Sequence, residues 1–154
     1  MKKIILLVAA LAGMLFAKSA ELATPPDHKD GVNHLELVLI LDKSGSMSGL
    51  ESDTIGGFNS MIEKERKEGI DASVTTVLFD TKFNVIHDRT PLAKVENLTS
   101  KEYYAGGNTA LLDAVGSTIA RIERVPDIYA KNNRVLFVII TDGMENSSRE
   151  YSKA

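Results

Sequence analysis

Two segments of the chain are apolar at nearly every position, Leu35 to Leu41 and Val135 to Ile140. A strand with one wet face alternates polar and apolar residues. Near-continuous apolar runs of this length predict strands buried on both faces, as in a parallel sheet. The first run stops at Asp42 and the second at Thr141-Asp142-Gly143. Between them, Ala72 to Phe79 and Phe83 to His87 flank the short polar link Asp80-Thr81-Lys82, which predicts an antiparallel hairpin. Ile55, Phe58 and Ile62 recur at helical spacing within Leu50 to Glu68. Leu111, Val115, Ile119 and Ile122 do so within Ala110 to Val125, which Pro126 closes. Gly56-Gly57 weakens the first helix by about 1 kcal/mol per Gly relative to Ala, so close packing is expected there. The order strand, helix, hairpin, helix, strand predicts an α/β fold: a doubly wound, mostly parallel sheet with Phe83 to His87 as an antiparallel edge strand.

The N-terminus follows a different pattern. Met1-Lys2-Lys3 precedes an apolar run of 14 residues, Ile4 to Ala17, and then the small-residue stretch Ala17-Lys18-Ser19-Ala20. As a helix the run spans about 21 Å, short of the roughly 30 Å hydrocarbon core. It reads as a secretory signal peptide over residues 1–19, cleaved after Ser19, with an uncleaved N-terminal anchor as the alternative. Residues 20–33, with Pro25-Pro26 and Gly31, read as an exposed linker, and the domain is expected over residues 34–154.

Composition narrows the function classes. The chain has 154 residues, 44% hydrophobic and 25% charged, enough for one globular domain. Its net charge is -3, and removal of the leader takes three Lys and no acid, leaving net -6. That balance argues against nucleic acid as a partner. With no Cys, disulfide frameworks, thiolate metal sites and Cys nucleophiles are excluded together.

In a sheet of the expected kind, ligands sit beyond the carboxyl ends of the strands, where the winding reverses. Asp42 and Asp142 are both expected there. After the first strand, Asp42-Lys43-Ser44-Gly45-Ser46 places three oxygen-bearing side chains at alternate positions on a loop that Gly45 lets turn tightly. Gly106-Gly107-Asn108-Thr109 offers one more hydroxyl at the start of the second helix, where Asn108 or Thr109 would otherwise serve as an N-cap. Asp142-Gly143 on its own would be a turn. Three oxygen clusters on three loops of one rim favour a hard cation.

These residues resemble the von Willebrand factor type A domain with its metal-ion-dependent adhesion site. Asp42-Lys43-Ser44-Gly45-Ser46 is similar to that family's Asp-x-Ser-x-Ser, Thr109 within Gly107-Asn108-Thr109-Ala110-Leu111-Leu112-Asp113 to its distal threonine, and Thr141-Asp142-Gly143 to its second aspartate. The resemblance implies a Rossmann-like fold in which Ser44 and Ser46 ligate Mg²⁺ or Mn²⁺ directly. It implies that Asp42 and Asp142 act largely through water, and that Thr109 is direct or water-mediated. A sixth position would be left for the acidic side chain of a protein ligand. The chemistry agrees: Mg²⁺ prefers octahedral oxygen and keeps several waters, Ca²⁺ would want more carboxylates, and zinc would want His. His28, His34 and His87 lie outside the three loops.

The resemblance covers about Leu35 to Ala154, and the chain stops 12 residues after Asp142, before the last two strands such a domain has. This leaves a fragment, a truncated product, or half of something completed in trans. Glu145 to Ala154 reads as the start of a helix. Val135 to Ile140 would then be an uncovered edge through which the chain self-associates. Lys64 to Glu68 read as a solvated helix end. Tyr103-Tyr104 read as core or rim, Glu145 as a further rim candidate, and Met47 and Ser48 as partner contacts. Asn97-Leu98-Thr99 and Asn146-Ser147-Ser148 fit the glycosylation acceptor pattern. The expected function is a secreted, periplasmic or cell-surface metal-dependent binding module without catalysis. The alternatives are a cytoplasmic adaptor for an ATPase or chelatase complex, if the leader is spurious, and a Mg²⁺-dependent hydrolase.

Overall fold

The computed structural model describes residues 4–9 and 34–152. In chain order the elements are β1 (Ile4–Ala9), β2 (His34–Asp42), α1 (Glu51–Lys67), β3 (Ala72–Phe79), β4 (Phe83–Pro91), α2 (Leu111–Glu123) and β5 (Asn133–Ile140). They form an α/β fold on one sheet of order β1-β5-β2-β3-β4. All pairings are parallel except β3 with β4. The linker over residues 20–33 and the proposed cleavage site lie outside the described residues. Among the described residues no helix is long and apolar enough to cross a membrane.

The apolar runs are explained by two cores. Leu35, Leu37, Leu39 and Leu41 of β2 face α1, where they meet Phe58, Met61 and Ile62. Val38 and Ile40 face the other way, toward Ala114 and Ile122 of α2. Strand β5 divides likewise, with Leu136, Val138 and Ile140 in the first core and Val135, Phe137 and Ile139 in the second. Glu36, near the start of β2, is fully buried and is held by the fork of the Arg89 guanidinium. Glu51 and Asp53 in the first turn of α1, and Lys64, Arg66 and Lys67 in its last, complement the helix dipole. Gly69, at φ +69°, takes the left-handed conformation that ends the helix.

Several expectations need correction. Strand β5 is not the outer strand of the sheet: β1, from within the expected leader, pairs with it from Ile4↔Val135 to Ala9↔Ile140. Strand β4 runs past His87 to Pro91, because Val74 and Ser73 pair with Thr90 and Pro91 beyond an irregularity near Thr76. A Cβ at Gly56 would meet nothing within 4 Å, so close packing does not explain it. The solvated end of α1 contains one residue that is not solvated, Glu65, which is 1% exposed. On α2, Ile119 is exposed and the buried stripe is Ala114, Thr118 and Ile122.

The segment after β5 is not helical. Carboxylates capture its backbone N–H groups instead. Glu145 accepts from Ser147 and Ser148, and Asp113 accepts from Arg149, Glu150 and Tyr151. Residues 143–151 therefore form a strap across the N-terminal end of α2. The helix gains its missing caps from the strap, as Leu112 N–H donates to Glu145 and Asp113 N–H to Ser148 Oγ.

Candidate metal centre

β2 is followed on one side of the sheet by β3 and on the other by β5, with α1 and α2 on opposite faces. A crevice beyond the strands' carboxyl ends follows from that arrangement, and Asp42, the last residue of β2, stands at it. Asp42 is fully buried. One of its oxygens accepts the Ser44 N–H at 2.7 Å, which folds the loop back over the strand end, and the other accepts the Thr141 hydroxyl at 2.6 Å.

The loop turns through a short 3-10 segment, Gly45–Met47. Gly45 N–H donates to Gly107 carbonyl at 3.0 Å, and Gly106 N–H to Lys43 carbonyl at 2.9 Å. The Asp42–Ser46 loop and the 106–109 loop are thus laced together by backbone. Side chains then meet across the lacing. Thr109 Oγ1 donates to Ser44 Oγ at 2.9 Å, and Ser44 Oγ lies 3.1 Å from Ser46 Oγ. Ser44 is 1% exposed and Thr109 is 3% exposed. Tyr103, also buried, donates its hydroxyl to the Asp42 carbonyl. Burial, opposed by a bond to Thr54 and reinforced by Asp42 and Glu51, pushes the Tyr103 pKa up to about 12, so it remains a donor.

The convergence has a measurable centre. A Cβ built on Gly143 would fall 2.7 Å from Thr109 Oγ1, 2.9 Å from Ser46 Oγ and 3.2 Å from Asp42 Oδ2. Donors from two loops therefore approach one point beside a third, and a side chain at position 143 would fill it. The donor set is three hydroxyls and one carboxylate. All are hard oxygen ligands of the kind Mg²⁺ and Mn²⁺ take, with room for water. Asp42 makes no ion pair with Lys, Arg or His among the described residues, although a buried charge ordinarily requires a counter-charge. Its neighbour Lys43 points its charge elsewhere, with Nζ 3.7 Å from Asp80 Oδ2 and 3.9 Å from the centroid of the Tyr104 ring. The residues present fit a divalent cation.

Of the five sequence candidates, the structure brings Asp42, Ser44, Ser46 and Thr109 together. Asp142 is exposed and its carboxylate makes no hydrogen bond or ion pair among the described residues; the neighbouring Thr141 hydroxyl is what touches Asp42. Thr109 is not an N-cap, since Ala110 holds that position without a side-chain bond. Met47 is buried in the core and cannot meet a partner, whereas Ser48 is exposed. Tyr103 is core and Tyr104 is rim, 58% exposed. Sequence reasoning missed Thr141 and Asn146 as site residues. Thr141 stood beside a candidate ligand, but nothing in spacing marks a Thr as a support for a distant Asp.

No protein-family model matches the chain, and no curated protein matches it in sequence.

Proposed function

We propose that the chain is a divalent-metal-dependent protein-binding module of the von Willebrand factor type A kind, not an enzyme, acting outside the cytoplasm. Its Mg²⁺ or Mn²⁺ site would use Asp42, Ser44, Ser46, Thr109 and Asp142, within a Rossmann-like fold. The observation that carries this reading is the buried Asp42, which pairs with no Lys, Arg or His among the described residues, beside the three clustered hydroxyls of Ser44, Ser46 and Thr109. Asp42 orients the loop through Ser44 N–H, and Thr109 reaches Ser44 from the far side. A bound ion would supply an electrophilic contact for the acidic side chain of a protein ligand. The exposed rim of Ser46, Ser48, Tyr104 and Met144 leaves that approach open. A Ser44 nucleophile is disfavoured, because among the described residues its Oγ bonds to the hydroxyls of Ser46 and Thr109 and to no base.

Calorimetric titration of the full chain with Mn²⁺ and Mg²⁺ tests the reading. One ion per chain should bind, and Asp42→Asn, which keeps the loop's acceptor and drops the charge, should abolish it. At 100 times the dissociation constant the ion should add about 2.7 kcal/mol of stability. A wild-type chain that binds neither ion sinks the proposal.

One observation favours a second reading, a cytoplasmic adaptor for an ATPase or chelatase complex. Ile4–Ala9 lies in the sheet as a strand, a use of the N-terminus that leader cleavage would remove. N-terminal sequencing of the protein from its host decides: a start at Met1 favours the adaptor, and a start at Ala20 the exported module.

A further inference from the structure

We propose that Asn146 is a positioning residue for the candidate metal centre, holding Thr109 where its hydroxyl can serve the site; the inference rests on the metal-site reading above. Asn146 is exposed. It grips both backbone polar groups of Thr109, 37 residues away. Thr109 N–H donates to Asn146 Oδ1 at 2.9 Å, and Asn146 N–H donates to Thr109 carbonyl at 3.1 Å.

The grip matters because of what lies on either side of Thr109. Before it, Gly107 stands at φ +75°, a conformation that only a glycine adopts at ease. After it, Ala110 caps α2 without a side-chain bond. The loop on the Gly107 side is fixed by Gly45 and by Thr81, which accepts Asn108 N–H at 3.0 Å, and on the far side Ala110 N–H donates to Asp80 carbonyl at 2.8 Å. Thr109 itself, 3% exposed, is held by Asn146. Its Oγ1 faces Ser44 Oγ and lies 2.7 Å from the convergence point beside Gly143.

Asn146 lies on the strap, four residues after Asp142, from which the strap runs on. The two-bond grip therefore ties the segment that carries Asp142 to the segment that carries Thr109, and the two candidate donor loops hold one geometry. This also assigns a folding role to the Asn of Asn146-Ser147-Ser148: the carboxamide oxygen is a structural acceptor.

The test is Mn²⁺ titration of the full chain by calorimetry, at a temperature where circular dichroism gives every variant as folded. Supporting groups of this kind change metal affinity by roughly 10- to 100-fold. Asn146→Ala should therefore weaken Mn²⁺ binding by about 10-fold, and Asn146→Asp, which keeps the acceptor oxygen, should bind at least as tightly as wild type. Ile122→Val, which loosens α2 from the sheet without touching Thr109, should lower the Tm and leave Mn²⁺ affinity unchanged. If Asn146→Ala unfolds, Asn146→Gln carries the same test, since its acceptor is displaced by one methylene. Wild-type affinity in Asn146→Ala or Asn146→Gln, with binding lost in Asp42→Asn, overturns the proposal and leaves the metal site standing. Absence of Mn²⁺ binding by the wild type overturns both.

Discussion

The ring of Tyr151 rests on the backbone of Gly116, so closely that a Cβ at position 116 would lie 2.5 Å from its Cδ1. Gly116 is inside α2, where Gly is worse than Ala by about 1 kcal/mol; the docked ring is what the missing side chain permits. Gly116→Ala separates the two effects. The helix gains propensity, while Tyr151, already 40% exposed, is displaced and takes the end of the strap with it. The expected outcome is a Tm at or slightly above wild type, combined with faster tryptic cleavage after Arg149. Unchanged cleavage would mean that the Asp113 bonds alone hold the strap.

Glu65 is the acid the fold carries at a cost. Both carboxylate oxygens are buried with no hydrogen-bond partner. Burial, then the charge of Glu68, with Lys64 opposing, raises its pKa from 4.5 to about 7. Well below pH 4.5 the group is protonated folded or unfolded, and its ionisation adds nothing to the cost of burying it. As pH rises toward 7 the unfolded chain ionises it and the folded chain resists, so stability falls by an amount that reaches about 3 kcal/mol. Glu65→Gln should therefore match wild type near pH 4 and exceed it in Tm at pH 8. Parallel Tm profiles for the two proteins across this range would refute the argument.

Glu145 has the opposite sign. Its partial burial favours the neutral acid, but the N–H groups of Leu112, Ser148 and Ser147 and the Ser148 hydroxyl hold its pKa down to about 2. The ionised form contributes stability that is fully present above pH 4.5 and is lost as pH falls toward 2. Glu145→Gln should cost about 2 kcal/mol at pH 7, typical of charged hydrogen bonds. It should also flatten the acid limb of the stability profile, measured by urea unfolding between pH 2 and 6. An acid limb identical to wild type would place the pH dependence in other groups.

Strands β2 to β5, both helices and the four clustered donors Asp42, Ser44, Ser46 and Thr109 were legible from local pattern, because burial on two faces leaves a continuous apolar run and because oxygens on loops after strand ends point to one rim; β1 was not, since its apolar run reads equally as a leader. The rest depended on partners far apart in sequence. Asp113 and Glu145 were legible as acids, but that they would cap and bind one another's segments follows only once α2 and β5 are neighbours. Ser147 and Ser148 in the strap turn their backbone toward a carboxylate rather than into a helix, a competition that such residues often win. Glu65 looked like part of a charged surface because its neighbours in sequence are charged. Helical geometry set it on the face of Phe58, Met61 and Ile62 instead.

The edge of β5 gives the last expectation. In the whole chain β1 covers this edge, in register from Ile4↔Val135 to Ala9↔Ile140. Both faces of β5 are already buried by the two helical layers, so removing the first 19 residues would expose backbone N–H and C=O groups rather than an apolar face. An open edge on an apolar strand is a template for another chain. Residues 20–154 should therefore self-associate with rising concentration in sedimentation velocity, and lose thermal stability relative to residues 1–154. Ile139→Lys would not isolate the edge, since Ile139 is 4% exposed in the second core and the charge would unfold the domain. A concentration-independent monomer of residues 20–154 with an unaltered, sharp thermal transition would show that β1 is dispensable to the sheet.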